Sequence, residues 1–475
     1  MLKIYNTLSR SVEDFEPINP PNVGIYSCGP TVYDFQHIGH MRRYVGDDIL
    51  IRVLKLNNFT VHHVMNITDV GHLTSDADTG EDKMEKGAKK YGLSVWDIAK
   101  KFEKQFTDSA RALNIILPKD LMHATDYIKE QIDLIKVLEE KGFAYKTEDG
   151  IYFDTSKFPN YFKLSRQNPE ELKAGARVDL GDKKNITDFA LWKFSPKNDP
   201  STDSTSSLQA NSGQGKRQME WESPWGVGFP GWHIECSAMS MEALGETFDI
   251  HTGGIDHVNV HHSNEIAQSE AATGKPFVKY FVHHAFLQVE SEKMSKSLGN
   301  FYTVQDIFKK GFDPLSLRYL YLQTHYRQEM NFTWEALGGA QNALNKLRSD
   351  FISWEEAKIG CAEFEERFQD AVNNDLNMPE ALSIVWEMVR SDYPGSAKKR
   401  SLLKFDEVLG LGLAEYKPEK LDVPDEIQKL VNKREEFRAK NDFEEADKIR
   451  VQIEKKGFTV EDISTGIKIK KTPKR

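Results

Sequence analysis

An α/β fold is predicted for this chain: a parallel-sheet unit near the start, a stretch of alternating helices and short strands, and a mostly α-helical C-terminal part. Three observations carry that expectation. Residues 22–68 read as strand, helix, strand, and a connection of that length implies parallel pairing with a right-handed crossover. From about Thr107 to Phe194 helices and short strands alternate. They lead into "KNDPSTDSTSSLQANSGQGKRQ" (197–218), which has almost no apolar content and reads as a flexible surface insertion. Beyond about Trp334 the chain reads as mostly helical. At 475 residues it is too long for one core, and two to four domains are expected.

Each element has its own warrant. "NVGIYSC" alternates as a short strand does, and "TVYDFQH" is a loop. From Ile38, the residues Met41, Val45, Ile49 and Val53 recur at helical spacing beside Leu50 and Leu54. "FTVHHVMNIT" is the second buried strand. Ligands of such sheets sit at the carboxyl ends of the strands, where Cys28 and Thr68 fall. "YIKEQIDLIKVLEEKGFAY" is an amphipathic helix. The last piece is a helical hairpin, "EIQKLVNKREEFRAK" then "DFEEADKIRVQIEKKG". Asp442 and Glu445 give its second helix a capping-box-like start, and Ala446, Ile449 and Ile453 mark the buried face.

Composition narrows the function. With 39% hydrophobic and 29% charged residues the chain reads as an ordinary soluble protein. It contains no run of about 18 apolar residues, so no membrane span is expected. "MLKIYNTLSRSVEDF" lacks the apolar core of a secretory signal. Three scattered cysteines, Cys28, Cys236 and Cys361, imply a reducing, cytoplasmic setting and favour a metal over a disulfide for any shared role. The net charge of −10 argues against unspecific coating of nucleic acid. Residues 429–475, however, carry 14 basic and 9 acidic residues, and this basic end suits a polyanion or a solvated tail.

Two motifs carry chemistry. His37-Ile38-Gly39-His40 stands where a helix begins: its N–H groups and dipole suit a polyphosphate, its imidazoles donate hydrogen bonds, and Gly39 permits close approach of a nucleotide ring. Far downstream, Lys293-Met294-Ser295-Lys296-Ser297 places two lysines in a loop able to close on pyrophosphate. A third pattern is sparser. His261 and Glu265 share a helix face, with Cys236 upstream and Cys28 on the first strand. Zinc takes such ligands, although without a CxxC pair the spacing alone favours the plain reading of buried cysteines and a helix-surface His and Glu.

Together, the two signatures resemble those of class I aminoacyl-tRNA synthetases. The resemblance implies a Rossmann-like catalytic domain and ATP-dependent formation of an aminoacyl-adenylate, with Mg2+ accompanying ATP and transfer of the acyl group to tRNA. His37 and His40 would hold phosphates, and Lys293 and Lys296 the charge developing on pyrophosphate. "CGPTVYDFQHIGH", "GWHIECSAM" and the "HHSNE" helix look like the cysteinyl-tRNA synthetases within that class. That likeness implies one zinc ion held by Cys28, Cys236, His261 and Glu265, with L-cysteine bound to it as thiolate and tRNA-Cys as acceptor.

The same resemblance assigns Asp256 to the ribose of ATP, and Thr68 and Trp232 to the amino-acid pocket. A turn-forming Asp256 and a core Trp232 are the plain alternatives. Phe443 and Asp462 match anticodon-reading positions. The family often has tryptophan at the first, so Phe443 departs from its pattern. The acidic stretch 69–84 has no assigned role and reads as a solvated loop.

The resemblance also implies a division into 1–110 for the first catalytic half, 111–220 for the connective insertion and 221–290 for the second catalytic half with the zinc residues. Then come 291–330 for the lysine loop and stem contacts, 331–415 for a helical bundle and 416–475 for the anticodon-binding end. A monomer is expected. The rival is a ligase that activates cysteine but passes it to an amino sugar; the basic C-terminal end favours tRNA.

Overall fold

The structure, a computed structural model, describes residues 1–71, 82–119, 121–168, 183–195, 218–294, 298–418, 423–463 and 466–471. Most of the expected 197–218 insertion and of the acidic 69–84 stretch, together with Lys296, lies outside them.

Its centre is a five-stranded parallel sheet in the order Val278–His284, Phe248–Gly254, Asn22–Ser27, Thr60–Ile67, Leu121–His123. From Asn22–Ser27 the chain builds outward on one side, leaves for the insertion, and returns on the other. The strand order therefore reverses between Asn22–Ser27 and Phe248–Gly254, where Ile25 pairs with Ile250 and Ser27 with Thr252. Such a switch point opens a crevice at the carboxyl ends of the two strands.

Alternation along the strands separates two cores. Ile25 and Met65 face one that includes Met41, Val45 and Ile49 of the helix Ile38–Leu56. Tyr26, Val64 and Cys28 face the other, with Ile234 and Cys236 of the helix Trp232–Leu244 and Ile266 of the helix His261–Thr273. The first core continues into the helices Trp334–Ser353, Ala362–Asn373, Met378–Arg390 and Gly395–Leu409 through Leu344, Phe368, Val385 and Phe405.

In the chain between the strands Leu121–His123 and Phe248–Gly254 lies a four-stranded antiparallel sheet: Ala144–Lys146, Gly150–Phe153, Phe189–Phe194 and Gly228–Pro230. Its last strand runs through Gly231 directly into the helix bearing Cys236, so the inserted sheet aims that helix. At the C-terminal end the helices Asp425–Ala439 and Phe443–Lys455 pack through Ile427, Val431, Ile449 and Ile453 as a separate core. Asp442 caps the second helix by accepting from Glu445 N at 3.2 Å. An antiparallel hairpin that the sequence reading did not anticipate, Phe458–Ile463 with Gly466–Lys471, completes this core through Phe458 and Val460. Among the described residues no helix is long and apolar enough to cross a membrane.

Candidate active site

Cys28 follows the first sheet strand, Cys236 lies in the helix Trp232–Leu244, and His261 and Glu265 sit one turn apart at the start of the helix His261–Thr273. One ligand atom from each lies within 4.8 Å of all the others, and none of the four residues is more than 3% exposed. Two thiols, an imidazole and a carboxylate make a donor set that zinc accepts.

A second set within the same distance replaces Cys236 and His261 by His251 and His262. Hydrogen bonding separates the two. His251 Nδ1 lies 3.0 Å from the Tyr26 carbonyl, which only accepts, so Nδ1 carries a proton. Its Nε2 is committed to Glu265 Oε2 at 2.5 Å. His251 thus orients the carboxylate from behind and leaves Oε1, 2.7 Å from His261 Nε2, on the side of the first set. His261 is held in turn through Nδ1 by His233 at 2.8 Å.

Electrostatics matches that division. Burial opposes a charged Glu265, yet His251 and His261 hold it well below the usual carboxylate range. Burial would lower His261, but Glu265 and Cys236 push it up to about 10. The hydrogen bond that the Cys236 thiol donates to Cys28, together with burial, pushes that thiol well up, and burial raises Cys28. The site without metal therefore stores protons, and a cation binding there must displace them.

The histidine pair is built differently. His37 caps the helix Ile38–Leu56: its Nδ1 accepts from His40 N at 3.1 Å, and His40 Nδ1 accepts from His37 N at 3.4 Å. The rings stack at 3.5 Å. With both Nδ1 atoms accepting, each neutral ring carries its proton on Nε2. A side chain at Gly39 would place its Cβ 3.0 Å from His37 Cε1, so glycine here serves the histidine stack itself.

Described residues on either side of the lysine motif meet this helix end. Leu287 lies against position 39, Phe301 meets His37 edge-on at 5.3 Å, and Ile38 N donates to Tyr302 O at 2.9 Å. The backbone of Lys293 belongs to the short strand Glu292–Lys293, paired antiparallel with Leu287–Val289.

Arg43 joins the two half-sites. It projects from the histidine helix, donates to the Cys28 carbonyl, and pairs with Asp47 at 3.3 Å. Of the remaining candidates, Asp256 is exposed in the turn Ile255–His257 at the carboxyl end of its strand. The half-buried ring of Trp232 stacks on His261 at 4.3 Å, with Lys83 Nζ 5.2 Å from its centre. Thr68 is buried and hydrogen-bonded to Asn66 and Glu235. Phe443 is exposed at the first turn of its helix, and Asp462 lies on the strand Phe458–Ile463, both remote in the chain from the crevice.

Comparison with known proteins fits this arrangement. Residues 14–342 match the model of the class I (C) tRNA synthetase catalytic domain, and residues 421–469 match the cysteinyl-tRNA ligase anticodon binding domain. A protein of Burkholderia lata named cysteine–tRNA ligase 1 is 50% identical over 98% of this chain and 96% of its own. The chain belongs to the cysteine–tRNA ligase family. The member from Treponema denticola is 40% identical over 97% of this chain and 98% of its own.

Solved structures agree on the fold. A Mycobacterium tuberculosis methionyl-tRNA synthetase with methionyl-adenylate superposes with a TM-score of 0.53 at 15% identity, covering 82% of this chain and 90% of its own. The Agrobacterium radiobacter LeuRS–tRNA–LeuAMS complex gives 0.58 at 11%, covering 84% of each. Within the family frame, the residues that sequence reasoning missed are His251, His233, Arg43, Asn66 and Glu235. Each acts through a partner distant in the chain. Their one local signal is proximity to a motif, as with Glu235 beside Cys236 and Arg43 just after the histidine pair.

Proposed function

We propose that this chain activates L-cysteine with ATP to cysteinyl-adenylate, releasing pyrophosphate, and transfers the cysteinyl group to the 3′ end of tRNA-Cys. The buried set Cys28, Cys236, His261 and Glu265, with its ligand atoms within 4.8 Å, is the observation that carries the choice of amino acid. These residues would hold one zinc ion, a borderline-soft Lewis acid that, when bound, keeps a substrate thiol as thiolate where the hydroxyl of serine would remain protonated. The match of residues 421–469 to an anticodon-binding domain favours tRNA over an amino sugar as acceptor.

The remaining roles follow from the chain's own groups. His37 and His40 donate through Nε2 to the phosphates of Mg2+-bound ATP, beside the helix N-terminus. Gly39 leaves room for the stacked rings, and Asp256 at the strand end accepts from the ribose hydroxyls. Lys293 and Lys296 neutralise the departing pyrophosphate. Trp232 and Thr68 line the amino-acid pocket. At the far end Phe443 stacks on, and Asp462 accepts from, anticodon bases. Arg43 keeps Cys28 and the histidine helix in register, which supports the meeting of carboxylate and α-phosphate between them. The sequence-based division into two catalytic halves, a connective insertion, a lysine-loop region, a bundle and an anticodon end stands as part of this reading, as do a monomeric state and a cytoplasmic setting.

The deciding experiment is amino-acid-dependent exchange of pyrophosphate into ATP across all twenty amino acids, with metal analysis of the same preparation. Exchange with cysteine alone and about one zinc per chain, lost in Cys236→Ala, is expected. Comparable exchange with serine, or full activity without metal, would overturn the reading.

A further inference from the structure

Beside the two thiols lies a polar chain whose hydrogen-bond directions are fixed from both ends. Gly29 N, one residue from Cys28, donates to Asn66 Oδ1 at 2.6 Å. A backbone N–H only donates, so the Asn66 amide has its oxygen toward Gly29 and its nitrogen toward Thr68. Position 29 is glycine because a Cβ there would overlap the Asn66 carbonyl oxygen, at 1.5 Å. Asn66 Nδ2 then donates to Thr68 Oγ1 at 3.0 Å, and Thr68 Oγ1 donates to Glu235 Oε2 at 3.1 Å. Glu235 is one residue from Cys236. Asn66, Thr68 and Glu235 are each no more than 1% exposed. Thr68 N donates to Pro30 O at 3.0 Å and Val32 N donates to Thr68 O at 3.1 Å, a parallel bridge that holds residue 68 against the Cys28 loop.

A hydroxyl has one proton and two acceptor sites. The proton of Thr68 goes to Glu235 and one acceptor site goes to Asn66. What Thr68 offers any ligand is a lone pair. Of the three polar groups of a thiol-bearing α-amino acid, the thiolate and the carboxylate accept hydrogen bonds, and only the ammonium donates. We infer that Glu235 is a positioning residue that fixes Thr68 as an acceptor, so that the pocket beside the two thiols selects a ligand bearing a primary ammonium. The inference rests on the reading that a substrate thiol occupies the metal pocket.

The test uses the full-length, metal-loaded chain in cysteine-dependent pyrophosphate exchange, with 3-mercaptopropionate as competitor. That compound keeps the thiol and the carboxylate and lacks the ammonium. In Thr68→Val, which removes the lone pair, and Glu235→Met, which releases the hydroxyl, the KM for cysteine should rise about 10–100-fold. The Ki of 3-mercaptopropionate and kcat should move less than about threefold, and metal content should hold. Thr68→Ser should keep the normal KM. If Glu235→Met does not fold, Thr68→Val carries the same expectation. KM and Ki rising together, or an unchanged KM in Thr68→Val, would overturn the inference while leaving the metal-pocket reading intact. Failure of 3-mercaptopropionate to compete in the unaltered chain would instead overturn that reading, and the inference with it.

Discussion

Replacing Arg318 by Met removes a side chain that ties three parts of the catalytic body together. Arg318 is fully buried. Its Nε donates to Leu409 O at 2.6 Å, one terminal nitrogen to Leu113 O and Asn114 O at 2.9 and 3.2 Å, and the other to Asp48 Oδ2 at 2.6 Å. The bundle, the end of the helix Val95–Ala112 and the histidine-bearing helix all meet there.

Removing one partner of a buried ion pair costs about 3–5 kcal/mol. Asp48 keeps Arg52 Nε at 2.8 Å and Ile116 N at 2.8 Å, and Asn114 O keeps an Arg52 nitrogen at 2.9 Å. The loss therefore concentrates on the carbonyls of Leu409 and Leu113, at about 1–2 kcal/mol each. The expected total lies near the lower end, about 3 kcal/mol. Urea unfolding followed by far-UV circular dichroism reads it, with Lys104→Met at the exposed Lys104–Asp108 pair as a control of negligible effect. A loss below about 1 kcal/mol would show that Arg52 alone satisfies Asp48, and the three-way tie would be refuted.

Three further outcomes are expected. Gly39→Ala should lower kcat for pyrophosphate exchange about tenfold or more by displacing the His37 ring, while thermal unfolding holds or improves because alanine suits a helix better. Burial, with the charges of His251 and His284, lowers His283 to about 3. Below pH 6.5 the unfolded chain binds a proton there that the folded chain refuses until about pH 3. Stability thus falls on acidification by up to about 1.4 kcal/mol per pH unit, and His283→Gln should flatten that slope in urea titrations at successive pH values. Ending the chain at residue 418 should leave cysteine-dependent exchange intact and abolish tRNA charging, since the helices and hairpin beyond form their own core. Retained charging would contradict the anticodon assignment.

How much of this was legible in the sequence depended on the range of the interactions. The strand–helix–strand opening was readable because alternation in 22–27 and helical spacing from Ile38 are local signals. Both nucleotide motifs were readable because they are contiguous. His251 was not. In "FDIHTGG" it looks like any strand residue, and its contact with Glu265 exists only once a helix crosses the strand end. The hairpin Phe458–Ile463/Gly466–Lys471 left a local trace, Ile467 and Ile469 alternating with Lys468 and Lys470. The charge of that stretch instead suggested a basic tail. The inserted antiparallel sheet, with strands of three to six residues separated by long connections, offered too little period to pair from sequence.

The interrupted sheet also sets a timetable for synthesis. The strand Asn22–Ser27 pairs on one side with Thr60–Ile67, available early, and on the other with Phe248–Gly254, which emerges only after the whole inserted module. Until then the nascent chain carries an unpaired parallel edge and a lone Cys28 thiol. The other three members of its cluster all leave the ribosome between positions 236 and 265. Contacts so distant in the chain form slowly and leave such an edge open to wrong partners. Over half the polypeptide must therefore be made before the centre of the molecule can close, and the inserted sheet that delays closure also delivers the helix that completes it.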